Sequence, residues 1–224
     1  MRKLPLQLLA LAALTVPVSA QDMLAVDWTG QIYALDSYTG AIEAAGVGMF
    51  GQNCMARDEN GDVWSIGQGS PVSFGFVSRI DNASLTATPM FPCADVRAMA
   101  AGSGTTLYMI VYTGQQNLLQ SIDTATGVTT TIGFTGISGI QAMTMVGSVL
   151  YAAGGGLIGT IDVGTGQFSP TGATSGNIQW IAVRGDGQLV GGGTSLYAID
   201  IASGITTLIA SLPVYLRGAD TAAF

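Results

Sequence analysis

Five times along the chain a hydrophobic run ends in an aspartate and a turn of small residues: IYALDSYTG, VSRIDNASL, LQSIDTATG, IGTIDVGTG and LYAIDIASG. The aspartates are Asp36, Asp81, Asp123, Asp162 and Asp200, spaced by 45, 42, 39 and 38 residues. A period near 40 built from short strands is the pattern of a β-propeller blade. Inside each copy, apolar and small residues alternate and β-branched residues are frequent, which supports strands over helices. The last copy reads QLVGGG, SLYAID, a turn at IASG and ITTLIA, the second to fourth strands of a four-stranded unit. The innermost strands come from CMARD, AMAAG, AMTMV and WIAVR, each followed by a glycine-containing turn.

The two ends do not match each other, and the mismatch is informative. The segment MLAVDWTGQIYALD resembles second and third strands with no innermost strand before it, whereas LRGADTAAF resembles an innermost strand with nothing after it. A ring closed by pairing the C-terminal strand into the first blade produces this pattern and removes exposed sheet edges. The expected fold is all-β: a five-bladed β-propeller, one domain over residues 21–224. Its blades lie near 21–48 with 214–224, 51–92, 95–134, 139–173 and 177–211. An open β-solenoid is the alternative, but its terminal repeats would need caps that the sequence does not show.

Residues 1–20 are set apart. Arg2 and Lys3 precede a mostly apolar stretch from Leu4 to Val18, and Val18-Ser19-Ala20 forms a small-residue cleavage site before Gln21. This is the pattern of a secretory signal peptide, too short and too interrupted by Pro5 and Pro17 for a membrane span. The expected location is secreted or periplasmic, with no membrane insertion after cleavage and a monomeric state. Cleavage leaves five arginines against fourteen carboxylates, with no lysine and no histidine. Such an acidic surface repels nucleic acid, so no nucleic-acid partner is expected. The missing histidine removes the commonest general base and zinc ligand.

Two cysteines in an exported chain point to one disulfide, Cys54 to Cys93, closing a loop of roughly 40 residues worth about 4 kcal/mol in the chain-entropy model. Two buried free thiols are the alternative. The repeated aspartates read as structural, since in D-x-x-T-G the carboxylate accepts turn amides while glycine takes the positive φ. Asp58, Asn60 and Asp62 open like a calcium loop, but Gly69 stands where the bidentate glutamate belongs. The segment is therefore a weak calcium candidate and more simply an acidic hairpin turn; no other cofactor is expected. Arg184-Gly185-Asp186 spells an adhesion tripeptide at the equivalent turn.

Aligning the innermost strands exposes a column: Asn53, Arg97, Gln141, Gln179 and Arg217. Strands in this position line a propeller's channel, so these five hydrogen-bonding side chains should gather at one mouth. They form either a ring that stitches the blades or a pocket for a small anionic or sugar ligand, with Trp180 beside it as a stacking surface.

The repeat L-Y-x-I-D-x-x-T-G-x-x-T-x-I-G is clearest in Ser195–Ala210 and Leu118–Gly133. It resembles exported bacterial β-propeller repeat proteins of the quinoprotein-like and DUF4394-like kind. The resemblance implies architecture and export and leaves function open. Quinoprotein dehydrogenases carry a tryptophan docking motif in most of their eight repeats. Here Trp28, Trp64 and Trp180 occupy unrelated repeat positions, so a redox cofactor is not expected. Three functions stay open: a non-catalytic module binding a protein, glycan or small ligand; a glycosidase-like enzyme; and a structural surface protein. The enzyme would need two carboxylates about 5 to 10 Å apart, for which Asp95 and Asp220 are the candidates near the proposed mouth.

Overall fold

The computed structural model describes residues 22–68 and 75–221; residues 1–20, read above as a signal peptide, lie outside them. Every regular element described is a strand. After β1 (Met23–Asp27), β2 (Gln31–Leu35) and β3 (Ile42–Val47) come four complete antiparallel sheets. The first holds β4 (Met55–Arg57), β5 (Val63–Gln68), β6 (Gly75–Ile80) and β7 (Ala87–Cys93). The next is β8 (Val96–Ala101), β9 (Thr106–Tyr112), β10 (Asn117–Asp123) and β11 (Thr129–Phe134). Then follow β12 (Ile140–Val146), β13 (Val149–Gly154), β14 (Leu157–Ile161) and β15 (Phe168–Ala173). The last is β16 (Trp180–Val183), β17 (Leu189–Gly192), β18 (Ser195–Ile199) and β19 (Thr206–Ser211). Strand β20 (Leu216–Thr221) returns to pair with β1, giving the order β20-β1-β2-β3. The ring is a five-bladed propeller closed by its C-terminal strand.

The blades are held by five apolar clusters, one at each interface. Cys54, Ala56, Trp64, Ile66 and Val77 of the second blade meet Val96, Met99, Leu107 and Met109 of the third. Between the fifth and first blades, Trp180, Val190 and Leu196 meet Met23, Leu35 and Leu216. Three further clusters fill the remaining interfaces. Burial of these side chains is the main stabilising term, since a single four-stranded blade has an apolar face on each side and cannot cover either alone.

The five aspartate turns are built alike. In each, the amide four residues on donates to the aspartate carbonyl: Gly40, Leu85, Gly127, Gly166 and Gly204. The carboxylates take the nearer donors, as Asp162 does from the amides of Gly164 and Thr165 at 2.9 and 2.7 Å. Hydroxyl donors, chiefly Thr105 for Asp123 and Thr165 for Asp162, and the turn amides, chiefly Ser84 for Asp81 and Ser203 for Asp200, hold these carboxyls below their ordinary range. Four of the closing positions are glycines at positive φ; in the second blade Leu85 adopts φ 52° instead.

Candidate functional site

The innermost strands β20, β4, β8, β12 and β16 ring the axis, and their period of two places successive rings of side chains along the channel. Met55, Met99, Met143, Ile181 and Ala219, all buried, fill the waist around a cavity of about 10 Å³. The channel is thus plugged. Two residues earlier on each strand lies the proximal mouth, with Asn53, Arg97, Gln141, Gln179 and Arg217. Two residues later lies the distal mouth, with Arg57, Ala101, Met145, Val183 and Thr221.

The proximal column is partly a stitch. Arg217 Nε donates to Asn53 Oδ1 at 3.2 Å, and Asn53 Nδ2 donates to the Val96 carbonyl at 3.0 Å, linking the first, second and third blades. Gln179 donates to Asn177, which donates to the Tyr215 hydroxyl at 2.8 Å. On the other side of the mouth the groups are less engaged. Arg97 pairs with Asp95 and lies 5.2 Å from the Tyr112 ring centre, with its buried Nε unpartnered. Gln141 has no hydrogen-bond partner among the described residues; with Arg97, Tyr112 and Ser138 it lines a hollow of about 340 Å³. The register slips at Arg97, Gln141 and Arg217, each being the extra residue where its strand meets the next. Such bulges re-aim a side chain and mark barrel rims and sites. The sequence column could not show them.

Several expectations are corrected here. Trp180 is no stacking surface: it is 2 % exposed and packs in the cluster between the fifth and first blades. Asp220 is not beside Asp95. Asp95 pairs with Arg97 at the proximal mouth, whereas Asp220 lines the distal one, so the plugged waist separates the two carboxylates. In the calcium-loop segment both carboxylates already have partners. Asp58 accepts the amides of Asn60 and Asp62 at 2.9 and 3.0 Å and the Trp64 indole at 2.9 Å, while Asp62 pairs with Arg79 at 2.6 Å. Among the described residues no group of three or more His, Cys, Asp or Glu is arranged to hold a metal. Cys54 and Cys93 are free thiols rather than a disulfide. They belong to one apolar cluster; burial pushes the Cys93 thiol up to about 12 and the Cys54 thiol well above its ordinary value, with the Cys93 charge adding to the latter. Arg184 and Asp186 of the adhesion-like tripeptide bond each other at 2.7 Å, and Arg184 stacks 4.0 Å from the Tyr38 ring centre, so neither side chain projects freely.

The distal mouth is the larger space, a cavity of about 700 Å³. Ser103, Tyr108, Thr144, Ser148 and Thr221 supply hydroxyls along it, with Arg57 and Asp220 at its base. Asp220 Oδ2 accepts the Arg57 amide at 2.8 Å and Oδ1 the Thr221 amide at 2.7 Å. Burial nevertheless pushes its carboxyl up to about 6, against these donors and the Arg57 charge. Glu59 is tied to the Gly104 amide at 2.8 Å. The Arg57 guanidinium is the exception to the pairing of every other described arginine. Arg79, Arg97 and Arg184 hold carboxylates and Arg217 holds Asn53, but no described side chain or carbonyl bonds Arg57, and its buried Nε is orphaned. Sequence reasoning missed this mouth because its ring has only one charged member; a search for a repeated polar column passes over it.

No family model matches the chain, and no curated protein does either. Solved structures do share the fold. One is a structural-genomics protein of unknown function from Bacteroides thetaiotaomicron, 14 % identical, with a TM-score of 0.60 over 90 % of this chain and 64 % of that one. The chain therefore spans just under two thirds of that protein's length. Another is a chain of a nidogen–laminin complex, 13 % identical, with a TM-score of 0.57 over 90 % of this chain and 98 % of that one. At these identities the likeness shows the propeller fold and nothing narrower.

Proposed function

We propose that this protein is an exported, non-catalytic binding propeller that seats a small anionic ligand at the distal mouth. The observation that carries the reading is the Arg57 guanidinium, which lines a cavity of about 700 Å³, makes no hydrogen bond or salt bridge with any described residue, and has the raised carboxyl of Asp220 as its charged neighbour. An arginine in a protein with twice as many carboxylates as basic residues finds a partner easily. One left open in a cavity edged by hydroxyls is suited to a carboxylate, phosphate or sulfate, with the hydroxyls fixing its orientation.

The glycosidase-like alternative draws support from Asp220, whose raised carboxyl resembles a general acid. The other carboxylates of that cavity, Asp58 and Glu59, are already engaged. Both oxygens of Asp58 are occupied, Glu59 is tied to a backbone amide, and Asp95 is beyond the plugged waist. Binding without turnover is favoured on that ground.

The test is calorimetric titration with phosphate, sulfate, citrate and galacturonate. At least one should bind saturably, and Arg57→Gln should weaken it by about 10- to 100-fold, the worth of a charge-assisted hydrogen bond. Equal affinity in wild type and Arg57→Gln, or no binding by any of the four, overturns the reading. Export has a separate check: mass spectrometry of protein recovered from the periplasm or medium should show a chain that begins at Gln21.

A further inference from the structure

The proximal mouth carries a second set of groups that its stitching does not use. The β1–β2 turn is fixed by Asp27, whose Oδ1 accepts the amides of Thr29 and Gln31 at 2.9 and 3.0 Å and whose Oδ2 accepts the Tyr33 hydroxyl at 2.9 Å. That hydrogen bond and burial push the Tyr33 phenol up to about 12. At the tip of this well-held turn stands Trp28, 37 % exposed, with Phe50 edge-on at 6.2 Å and 53 % exposed. Tyr215 is also 37 % exposed. The Arg217 guanidinium links it to Trp28, lying over both rings at 5.4 Å from Trp28 and 5.6 Å from Tyr215. Its Nε is bonded to Asn53, while its terminal nitrogens bond no described residue. The third blade repeats the arrangement with Arg97 over Tyr112 beside the hollow at Gln141.

We infer that this face binds a neutral oligosaccharide, with one sugar ring stacked on Trp28 and Tyr215 and the guanidinium of Arg217 donating to its hydroxyls. Three observations select that occupant. The surface pairs apolar ring faces with fixed planar donors, and a pyranose offers both an apolar C–H face and hydroxyl acceptors. The three exposed rings present about 300 Å² at typical aromatic side-chain areas, well short of the roughly 800 Å² per partner of a stable protein interface. The excess of carboxylates disfavours an acidic polysaccharide. This site is independent of the anion site, because the waist between the mouths is closed.

The chain contains its own reporter. Trp28 is exposed while Trp64 and Trp180 are 3 % and 2 % exposed, so a ring stacking on Trp28 changes emission and shields it from iodide, and the other two indoles stay silent. The full chain is titrated with laminarihexaose, cellohexaose, xylohexaose, mannohexaose and chitohexaose. At least one should give a saturable emission shift and reduce iodide quenching. By calorimetry, Trp28→Ala and Tyr215→Ala should each weaken the same sugar at least tenfold at unchanged melting temperature. Arg57→Gln should leave it unaltered. Absence of a saturable shift with all five sugars overturns the inference, and so does wild-type affinity in Trp28→Ala. The wild-type titration stands even if a variant fails to fold, and because Arg57 is untouched in it, failure here is distinct from failure of the anion site.

Discussion

Asp220 is the residue whose setting says most about pH. Its carboxyl is raised to about 6, chiefly by burial. The folded state then binds the proton more tightly than the unfolded chain, whose carboxyl titrates near about 4. Stabilisation from this group is complete below that value and is lost as the pH rises through about 6. Two pKa units set a ceiling near 3 kcal/mol, which access to the distal cavity brings to about 2 kcal/mol or less. Asp220→Asn should therefore flatten the decline in melting temperature between pH 4 and about 6. The same proton governs the ligand. With Asp220 neutral, an anion on Arg57 loses a repelling neighbour, so affinity should climb from pH 7 to pH 5 in wild type and stay level in Asp220→Asn. Titrations at three pH values read this directly. The sequence marked Asp220 as a candidate acid but put it at the wrong mouth, because depth along a strand is set by register and not by proximity in the chain.

At the level of the element, the turns and the innermost strands obey different rules. The aspartate turns were legible, since their chemistry is local: a carboxylate, two or three nearby amides and a residue at positive φ suffice. Gly166, at φ 82°, shows how tight the fit is; a Cβ there would stand 2.6 Å from the Gly133 carbonyl oxygen. Gly166→Ala should cost about 1 to 3 kcal/mol, seen as a lower urea midpoint with an unchanged slope. Leu85 occupies the matching place at φ 52° and packs against the cluster between the first and second blades. There apolar burial offsets the backbone strain, which is why the motif could lose its glycine. The bulges at Arg97, Gln141 and Arg217 were not legible, because a bulge is a relation between two strands. The repeated polar column pointed to the right ring for a reason the sequence did not contain. Trp28 escaped notice similarly, since its exposure depends on how Asp27 folds the turn beneath it.

For the molecule as a whole, a forty-residue period and mismatched ends were enough to infer five blades and the closing strand. Blade number follows from repetition, which one sequence displays in full. The plugged waist and the unpaired Arg57 depend on how five non-identical strands meet at one axis, and no single repeat contains that information. Whole-molecule charge also shapes acid stability. Asp81, Asp123, Asp162, Asp200 and Asp186, the last held down to about 2, are stabilising when ionised. Their contribution is present above about pH 4 and is lost as the pH falls through their lowered values. Melting temperature should hence peak near pH 4 to 5, where Asp220 still helps and the turns remain charged. Deleting residues 216–224 removes the strand that covers β1 and part of the cluster around Trp180. The truncated chain should lose cooperative thermal unfolding and aggregate, as circular dichroism and gel filtration would show.

The pairing of Met23 with Thr221 gives the chain a schedule. Blades two to five each complete themselves with neighbours made within the same repeat. The first blade waits with the inner edge of β1 open until the four blades that separate it from β20 have been made. During synthesis, that edge is the point most exposed to pairing with a second copy. The final strand is accordingly a latch, and the rate at which it finds β1 should set how much of the protein matures and how much is lost to association.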